Sequence, residues 1–474
     1  MQNTLVLKFG GTSVGSAQAI RQIITIARKA KAEWRNVTIV VSAMSGVTDG
    51  LLSAAAAAAA GDETLAEQIA AALLTRHCQA LDELAPQADE VRDFIASCLN
   101  EFTSLTRAIR VLGEASPRAL DAIASLGERM SAPLVSAALQ KAGIGAQSVD
   151  ARQIVRTDSV FQSAAPDLNA TTRNAQRLIW PIFEAGSVPV IPGFIGANEH
   201  GTVTTLGRGG SDFSGAILGV VLEANEVWIY SDVSGVMTTD PRIDPRARTV
   251  PELSFREISE LAFYGAKVLH PKAIRPVVEK GITLWVKNTF APDAAGTRIV
   301  ANQLAQLGKI RAVAAFTGQS LITVEGRGMI GVPGIAARTF GAVARENINI
   351  VMISQASSEQ SICFVVPNPS ADLIVKALER EFRLELNRRD IASIQKSDES
   401  AIVTIVGAGM QAAPGLAGQI LTATGQAGVN VIAIALGSSE SSISLVVASA
   451  DAQKAVLAVH ELIVNPSPER SGER

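Results

Sequence analysis

The sequence predicts an α/β protein: a three-layer domain built on a mostly parallel sheet, followed by two βαββαβ modules. Three observations carry this expectation. From Thr4 to about Ile299, apolar runs of strand length alternate with helical stretches, the order that crossover helices impose on a parallel sheet. Residues 332–359 recur at 413–440 with no slip of register, which marks a duplicated supersecondary unit. A chain of 474 residues, 47% of them hydrophobic, exceeds one ordinary core, so two or three domains are expected.

Taken in order, Thr4 to Lys8 reads as a buried strand, the segment Phe9-Gly10-Gly11-Thr12-Ser13-Val14-Gly15 as a glycine turn, and Ala17 to Ala32 as a helix. The lysine precedes the glycines, so this is not a Walker A loop. Lys8 projects from the strand end over the turn; it is either a point charge for a transferring phosphoryl group or an edge-strand lysine that discourages aggregation. Val37 to Val41 follows as a second strand and runs into the small-residue loop Ser42 to Asp49, the strand end at which ligands bind in open α/β sheets. From Gly50 to Leu139 the alanine, leucine and spaced charges predict a helical insertion with little strand. Within it Gly127 precedes Glu128, which either faces a substrate ammonium or sits solvated on a helix face.

Strand patterns return at Ala146 to Val149 and Val188 to Pro192, then at Glu226 to Tyr230 and Thr283 to Val286. Between them lies Thr205-Leu-Gly-Arg-Gly-Gly-Ser-Asp-Phe-Ser-Gly215, ahead of an apolar run. Glycines there permit positive φ and close ligand approach. Free amides at a helix start attract anions, and Arg208 offers a planar fork for carboxylate or phosphate. A capped surface turn shares the same short pattern. A long loop after Tyr230 carries hydroxyls and carboxylates through Thr238-Thr239-Asp240-Pro241-Arg242.

In the repeat, Val332-Pro333-Gly334-Ile335 and Ile348 to Glu359 are echoed by Ala413-Pro414-Gly415-Leu416 and Val429 to Glu440. Each copy reads as a strand (Leu321 to Glu325; Ile402 to Val406), a helix, two strands joined at Ser-Ser-Glu, and a second helix near Ala371 or Ala450. This is a βαββαβ unit of ferredoxin-like type, duplicated. The divisions expected are 1–305 with the helical insertion at about 50–140, then 316–392, 398–464 and a proline-rich, charged, disordered tail at 465–474.

A net charge of -3 offers no footprint for nucleic acid or anionic membrane, so small molecules are the expected partners. Cys78, Cys98 and Cys363 are widely spaced and odd in number, which fits reduced cysteines in a cytoplasmic protein. His77, His200, His270 and His460 have no metal-ligand spacing. No signal peptide is read near Met1, and the alanine run at Ala54 to Ala60 is too short to span a bilayer. An α/β dehydrogenase is disfavoured because no Gly-x-Gly-x-x-Gly follows a strand in the right unit.

Four motifs in this order, Lys8 to Val14, Leu206 to Asp212, Thr238 to Arg242 and Gly265-Ala266-Lys267-Val268-Leu269-His270-Pro271, resemble those of the aspartate kinases. That family has an amino-acid-kinase fold with two appended ACT modules. The tail modules are also similar to those of bifunctional aspartokinase and homoserine dehydrogenase chains; here the chain is expected to lack the dehydrogenase. The resemblance implies ATP-dependent, magnesium-assisted phosphorylation of the L-aspartate side chain, feeding lysine, threonine and methionine synthesis. It assigns catalysis to Lys8 and Asp212. Aspartate would be held by Thr48, Glu128, Arg208, Gly209, Gly210 and Ser211, with Glu128 on the ammonium and Arg208 on the α-carboxylate. Nucleotide would be met by Lys8, Gly10, Gly11, Ser231, Asp232, Met237, Arg242, Lys267 and Val268. Ser231 and Met237 depart from the threonine and tyrosine usual there. The modules imply an amino-acid effector, threonine or lysine or both, at Gly334, Ile335 and Gln355, and a homodimer or homotetramer built through them. Leu436 replaces Gln355 in the second copy, so the first is expected to carry the effector. The alternatives are a glutamate- or acetylglutamate-type kinase and a catalytically silent amino-acid sensor.

Overall fold

The computed structural model describes residues 3–62, 64–263, 269, 271–301, 308–355, 360–436 and 441–465. Two compact units emerge. The first comprises 1–236, 251–255 and 268–302, and the second 237–250, 256–267 and 303–474.

Among the described residues, ten strands belong to the first unit: β1 (Thr4–Phe9), β2 (Asn36–Val41), β3 (Ala146–Ser148), β4 (Val188–Pro192), β5 (Ile195–Ala197), β6 (Val203–Thr205), β7 (Glu226–Ser231), β8 (Glu252–Ser254), β9 (Thr283–Asn288) and β10 (Thr297–Val300). Eight form one sheet in the order β3-β4-β2-β1-β7-β9-β10-β8, and β5 with β6 makes a separate antiparallel pair. Every pairing in the large sheet is parallel except β9 with β10. β1 lies centrally between β2 and β7, with all six residues buried. A strand covered on both faces reads as an unbroken apolar run, which is why Thr-Leu-Val-Leu stands out before Lys8.

The alanine-rich segment folds as helices Val47–Ala59, Thr64–Leu84, Asp89–Leu112 and Pro117–Lys141. The last starts on a proline at its first turn, and Ser116 accepts a hydrogen bond from the amide of Ala119 (3.3 Å), a start that fixed proline φ and a hydroxyl cap favour. Its core face packs with the large sheet in one cluster containing Leu5, Leu7, Phe9, Ile39, Val41, Leu126, Met130 and Leu134.

The second unit holds β11 (Ala312–Glu325), β12 (Met352–Gln355), β13 (Ser361–Pro367), β14 (Ser393–Val406), β15 (Val431–Leu436) and β16 (Ser442–Ala448) in one antiparallel sheet, ordered β12-β13-β11-β14-β16-β15. Two helix-covered cores, one around Ile322, Phe364, Ile374 and Phe382 and the other around Val403, Leu445, Val456 and Val459, match the two repeat copies. The strands, however, are shared. The first half of β11, Ala312 to Phe316, pairs with Ile402 to Val406, while its second half pairs with Ser393 to Ser400 after a register shift near Gly318. A reading that begins the first copy at Leu321 misses the added strand, because its partner lies some 90 residues on and local pattern does not encode pairing.

A loop of the same unit is fastened to its last helix, Ala452–Val464. His460 is fully buried, its Nδ1 2.8 Å from Asp244 Oδ2 and its Nε2 2.9 Å from Thr238 Oγ1. A carboxylate only accepts, so the arrangement places the imidazole proton on Nδ1. Arg246 bridges Asp244 and Glu461, and the amide of Val313 on β11 donates to the carbonyl of Thr238 (2.8 Å).

Candidate active site

Lys8 ends its buried course on the central strand, 7% exposed, where sheet neighbours on both sides exclude the edge-strand role. Its ammonium contacts Asp212 Oδ1 at 2.5 Å. Asp212 lies in the first turn of helix Gly210–Val221, whose N-cap Gly209 has φ +73°. Gly215 of that helix lies against Lys8: a Cβ there would stand 3.2 Å from Lys8 Cβ. The helix start therefore delivers both a positive dipole end and the carboxylate that aims the lysine.

Lys8, Asp212 and the loop Gly207 to Ser211 line a cavity of about 500 Å³ together with Thr48 and Glu128. All residues expected to hold aspartate thus surround one volume. Arg208 is exposed, and no acidic side chain among the described residues pairs with it. Glu128 is 4% exposed and its Oε2 has no hydrogen-bond partner, which overturns the solvated-face alternative. Burial pushes its carboxyl up to about 8, against the opposing influence of a hydrogen bond from the Ala43 backbone and the nearby Lys8 charge. A buried carboxyl with a free oxygen is a strong attractor for a cation. The preceding Gly127 explains how it gets there. A Cβ at that position would meet Ala43 Cβ at 2.7 Å, so only glycine lets the helix lie against the 42–48 loop.

The glycine turn after β1 needs one correction. The Gly10 amide donates to the carbonyl of Tyr230 (3.1 Å), so it is not available to a ligand as the sequence reading expects. The β1–β7 pairing runs one residue past the strand end and consumes it.

The residues expected to meet nucleotide are not brought together within one unit. Ser231 closes β7 and its Oγ accepts weakly from the Val233 amide (3.4 Å), with Asp232 exposed beside it. Met237 and Arg242 belong to the loop of the second unit. There Met237 Sδ accepts from Thr249 Oγ1 (3.6 Å), and the Arg242 fork is occupied by Asp240 at 2.6–3.1 Å. Lys267 and Val268 lie outside the described residues. No group of three metal-ligating side chains occurs among the described residues.

The second unit has its own cavity, about 320 Å³, in the first repeat copy. It is lined by Met329, Val332, Pro333, Gly334, Ile335 and Gln355 among others, so the three residues expected for an effector do meet. Gly334, φ +93°, is the N-cap of helix Ile335–Arg345.

Sequence reading missed the lining residues Leu120, Asp121, Gln162 and Phe194, and gave no role to Ser42 and Thr205 within stretches it had singled out. Asp121 had one available signal: it stands seven residues before Glu128, on the same side of a helix of 3.6-residue period.

Residues 3–288 match the amino acid kinase family, and 322–382 and 403–462 match the ACT domain. The chain is 34% identical over 464 residues to bifunctional aspartokinase/homoserine dehydrogenase 2, chloroplastic, of Arabidopsis thaliana, covering 96% of this chain and 50% of that protein. It therefore spans about half the length of that type of relative. With lysine-sensitive aspartokinase 3 of Escherichia coli (strain K12) it shares 32% identity over 463 residues, covering 97% of this chain and 99% of the relative. The crystal structure of E. coli aspartokinase III in complex with aspartate and ADP (R-state) aligns with TM-score 0.79 at 30% identity, over 98% of this chain and 100% of the other. The complex of that enzyme with lysine and aspartate (T-state) aligns with TM-score 0.78 at 30% identity, over 97% and 99%. With an amino acid kinase domain, two ACT domains and near full-length similarity to an aspartokinase, the chain belongs to the aspartokinase family.

Proposed function

We propose that the chain phosphorylates the side-chain carboxylate of L-aspartate with ATP, giving 4-phospho-L-aspartate and ADP. One observation carries the choice of acceptor: buried Glu128, with an oxygen lacking a partner, shares a cavity with the Lys8–Asp212 pair and the unpaired Arg208 fork. An amino acid presents an ammonium to the first and an α-carboxylate to the last, leaving its side chain toward the lysine. An N-acylated acceptor has no ammonium to pair with an ionised Glu128, so it forfeits the charged contact that this carboxyl can make. That argues against acetylglutamate.

The acceptor carboxylate is already ionised at neutral pH and needs no general base, so the work is positioning and charge neutralisation. Its oxygen attacks the γ-phosphorus and the bond to the β-phosphate oxygen breaks, releasing ADP. Lys8, aimed by Asp212, and the Gly11 amide stabilise the charge on the transferring oxygens. Thr48, Gly209, Gly210 and Ser211 complete the aspartate wall. Ser231, Asp232, Met237, Arg242, Lys267 and Val268 are the residues assigned to nucleotide. With no cluster of acidic ligands among the described residues, a magnesium ion would be carried on the nucleotide phosphates, as its preference for phosphate and water oxygens allows, and would supply charge neutralisation there.

The first ACT cavity would bind a free amino acid, its carboxylate at the helix start after Gly334 and its polar groups near Gln355. The E. coli relative is named lysine-sensitive, which supports lysine over threonine among the expected effectors. Assembly as a homodimer or homotetramer is supported by the apolar side chains Ile353, Ile432, Ile434 and Leu436 left 36–60% exposed on the outer strands of the sheet. No helix among the described residues is long and apolar enough to cross a membrane, and a cytoplasmic location remains part of the proposal.

Acyl-phosphate formation with aspartate, glutamate and acetylglutamate as competing acceptors tests the reading. The expected result is turnover of aspartate far above the other two. Equal turnover of acetylglutamate, or none with aspartate, overturns it.

A further inference from the structure

We propose that Asp121 is a positioning residue that sets the distance between the ammonium and α-carboxylate contacts of the acceptor, and so helps define its specificity. The inference rests on the aspartokinase reading above. Asp121 is 1% exposed, and its carboxylate has no sequence motif around it. Both oxygens are occupied by donors from two separate segments. Oδ1 accepts from Thr205 Oγ1 (2.7 Å) and Oδ2 from the Thr205 amide (2.9 Å), while the Gln162 amide lies 3.0–3.1 Å from both. With its lone pairs so used, Asp121 acts on a bound acceptor through the segments it holds.

Those segments lead to the binding loop. Thr205 ends β6, three residues before Arg208, and its carbonyl accepts from the Ala164 amide (2.9 Å). Gln162 sits at φ +67°, a conformation uncommon for a residue with a side chain. Its carbonyl would stand 2.8 Å from any Cβ at Gly207, which itself has φ +76°. The 162 and 205–207 segments are thus clamped against each other, and the clamp is the Asp121 carboxylate. Such charge-assisted bonds from main-chain amides to a buried carboxylate are short and directional.

The same helix, Pro117–Lys141, carries Glu128 seven residues on. Two turns of helix put these residues on one face about 10 Å apart. One rigid element therefore bears the ammonium contact directly and the carboxylate contact through Asp121. Nothing in a merely stabilising hydrogen bond requires it to link these two points.

The test is steady-state kinetics of D121N and T205V in the full chain, with aspartate, glutamate and ATP varied separately. In D121N the carboxamide keeps the shape but turns an N–H toward one of the donors. The KM for aspartate is expected to rise about tenfold or more with kcat within about threefold, the signature of lost uniform binding. The KM for ATP should stay at the wild-type value, and the preference for aspartate over glutamate should narrow. T205V, which keeps Asp121 and removes only the hydroxyl, should shift the same parameters in the same direction by less, and it decides the matter if D121N does not fold. An unchanged KM for aspartate in a folded variant with lowered kcat or melting temperature overturns the inference and leaves the aspartokinase reading intact, as does an equal rise in both KM values. Wild-type protein that does not phosphorylate aspartate overturns both.

Discussion

The two cavities make an instructive contrast. The one in the first unit is walled with charge: Lys8, Asp121, Glu128, Arg208 and Asp212 all line it, and Glu128 is held where ionisation is disfavoured. Among the described residues, the one in the second unit has no charged side chain in its lining, only small and apolar residues, main chain and Gln355. A buried carboxyl kept neutral in the empty protein ionises when a complementary charge arrives, and part of that contact's energy goes into the ionisation. Main-chain amides at a helix start bind an anion with no such cost. The first arrangement suits chemistry on a zwitterion, the second reversible sensing of one.

The largest expected effect breaks the charged side of this contrast. K8A should lower kcat by roughly a thousandfold, about 4 kcal/mol of transition-state stabilisation, as measured by ADP release. A variant with near wild-type turnover would remove Lys8 from catalysis. Next, E128Q should cost about 2–3 kcal/mol in kcat/KM for aspartate, the worth of a hydrogen bond to a charged partner. The same residue sets a pH dependence. In the empty enzyme Glu128 holds its proton up to about pH 8, and binding an ammonium favours the ionised form, so the KM for aspartate should rise as pH falls from 8 toward 6, and E128Q should flatten that profile. The sign for folding is opposite to that of a paired carboxylate: between about 4.5 and about 8 the folded state binds the extra proton, so Glu128 contributes less stability as pH rises through that window.

A smaller effect concerns packing alone. G127A, whose added methyl would crowd Ala43 Cβ, should cost about 1–3 kcal/mol in denaturant unfolding. Smallest is Q355L, which makes the first ACT copy resemble the second. It should raise the half-inhibitory concentration of the effector about tenfold, some 1.4 kcal/mol. A change of similar size from L436Q instead would reverse the assigned roles of the copies.

Much of this was legible because it is local in sequence. The Lys8 strand and its glycine turn, the Gly-Arg-Gly-Gly-Ser-Asp loop and the repeat are each written in a contiguous stretch, and turn chemistry or periodicity exposes them. What escaped depends on contacts across the fold. Asp121 looks like one more helix charge until Thr205 and Gln162 arrive, 84 and 41 residues away, to fill its oxygens. Gly10 looks like a phosphate ligand until β7 claims its amide. The depth of Glu128 follows from the approach of the 42–48 loop, which no helical pattern foretells.

Strand β11 carries a further consequence. Its last residue, Glu325, lies four positions before Met329, where the lining of the ACT cavity begins, and near its other end Val313 is bonded to Thr238, beside Met237 in the loop assigned to nucleotide. Fourteen residues of extended chain span about 45 Å. Cavity and loop therefore lie near opposite ends of one continuous strand. No single cut in the backbone separates the two ACT copies, because β11 and β14 each serve both. A graft or truncation that exchanges one sensor for another has to keep both long strands whole, or it removes a strand from the sensor that remains.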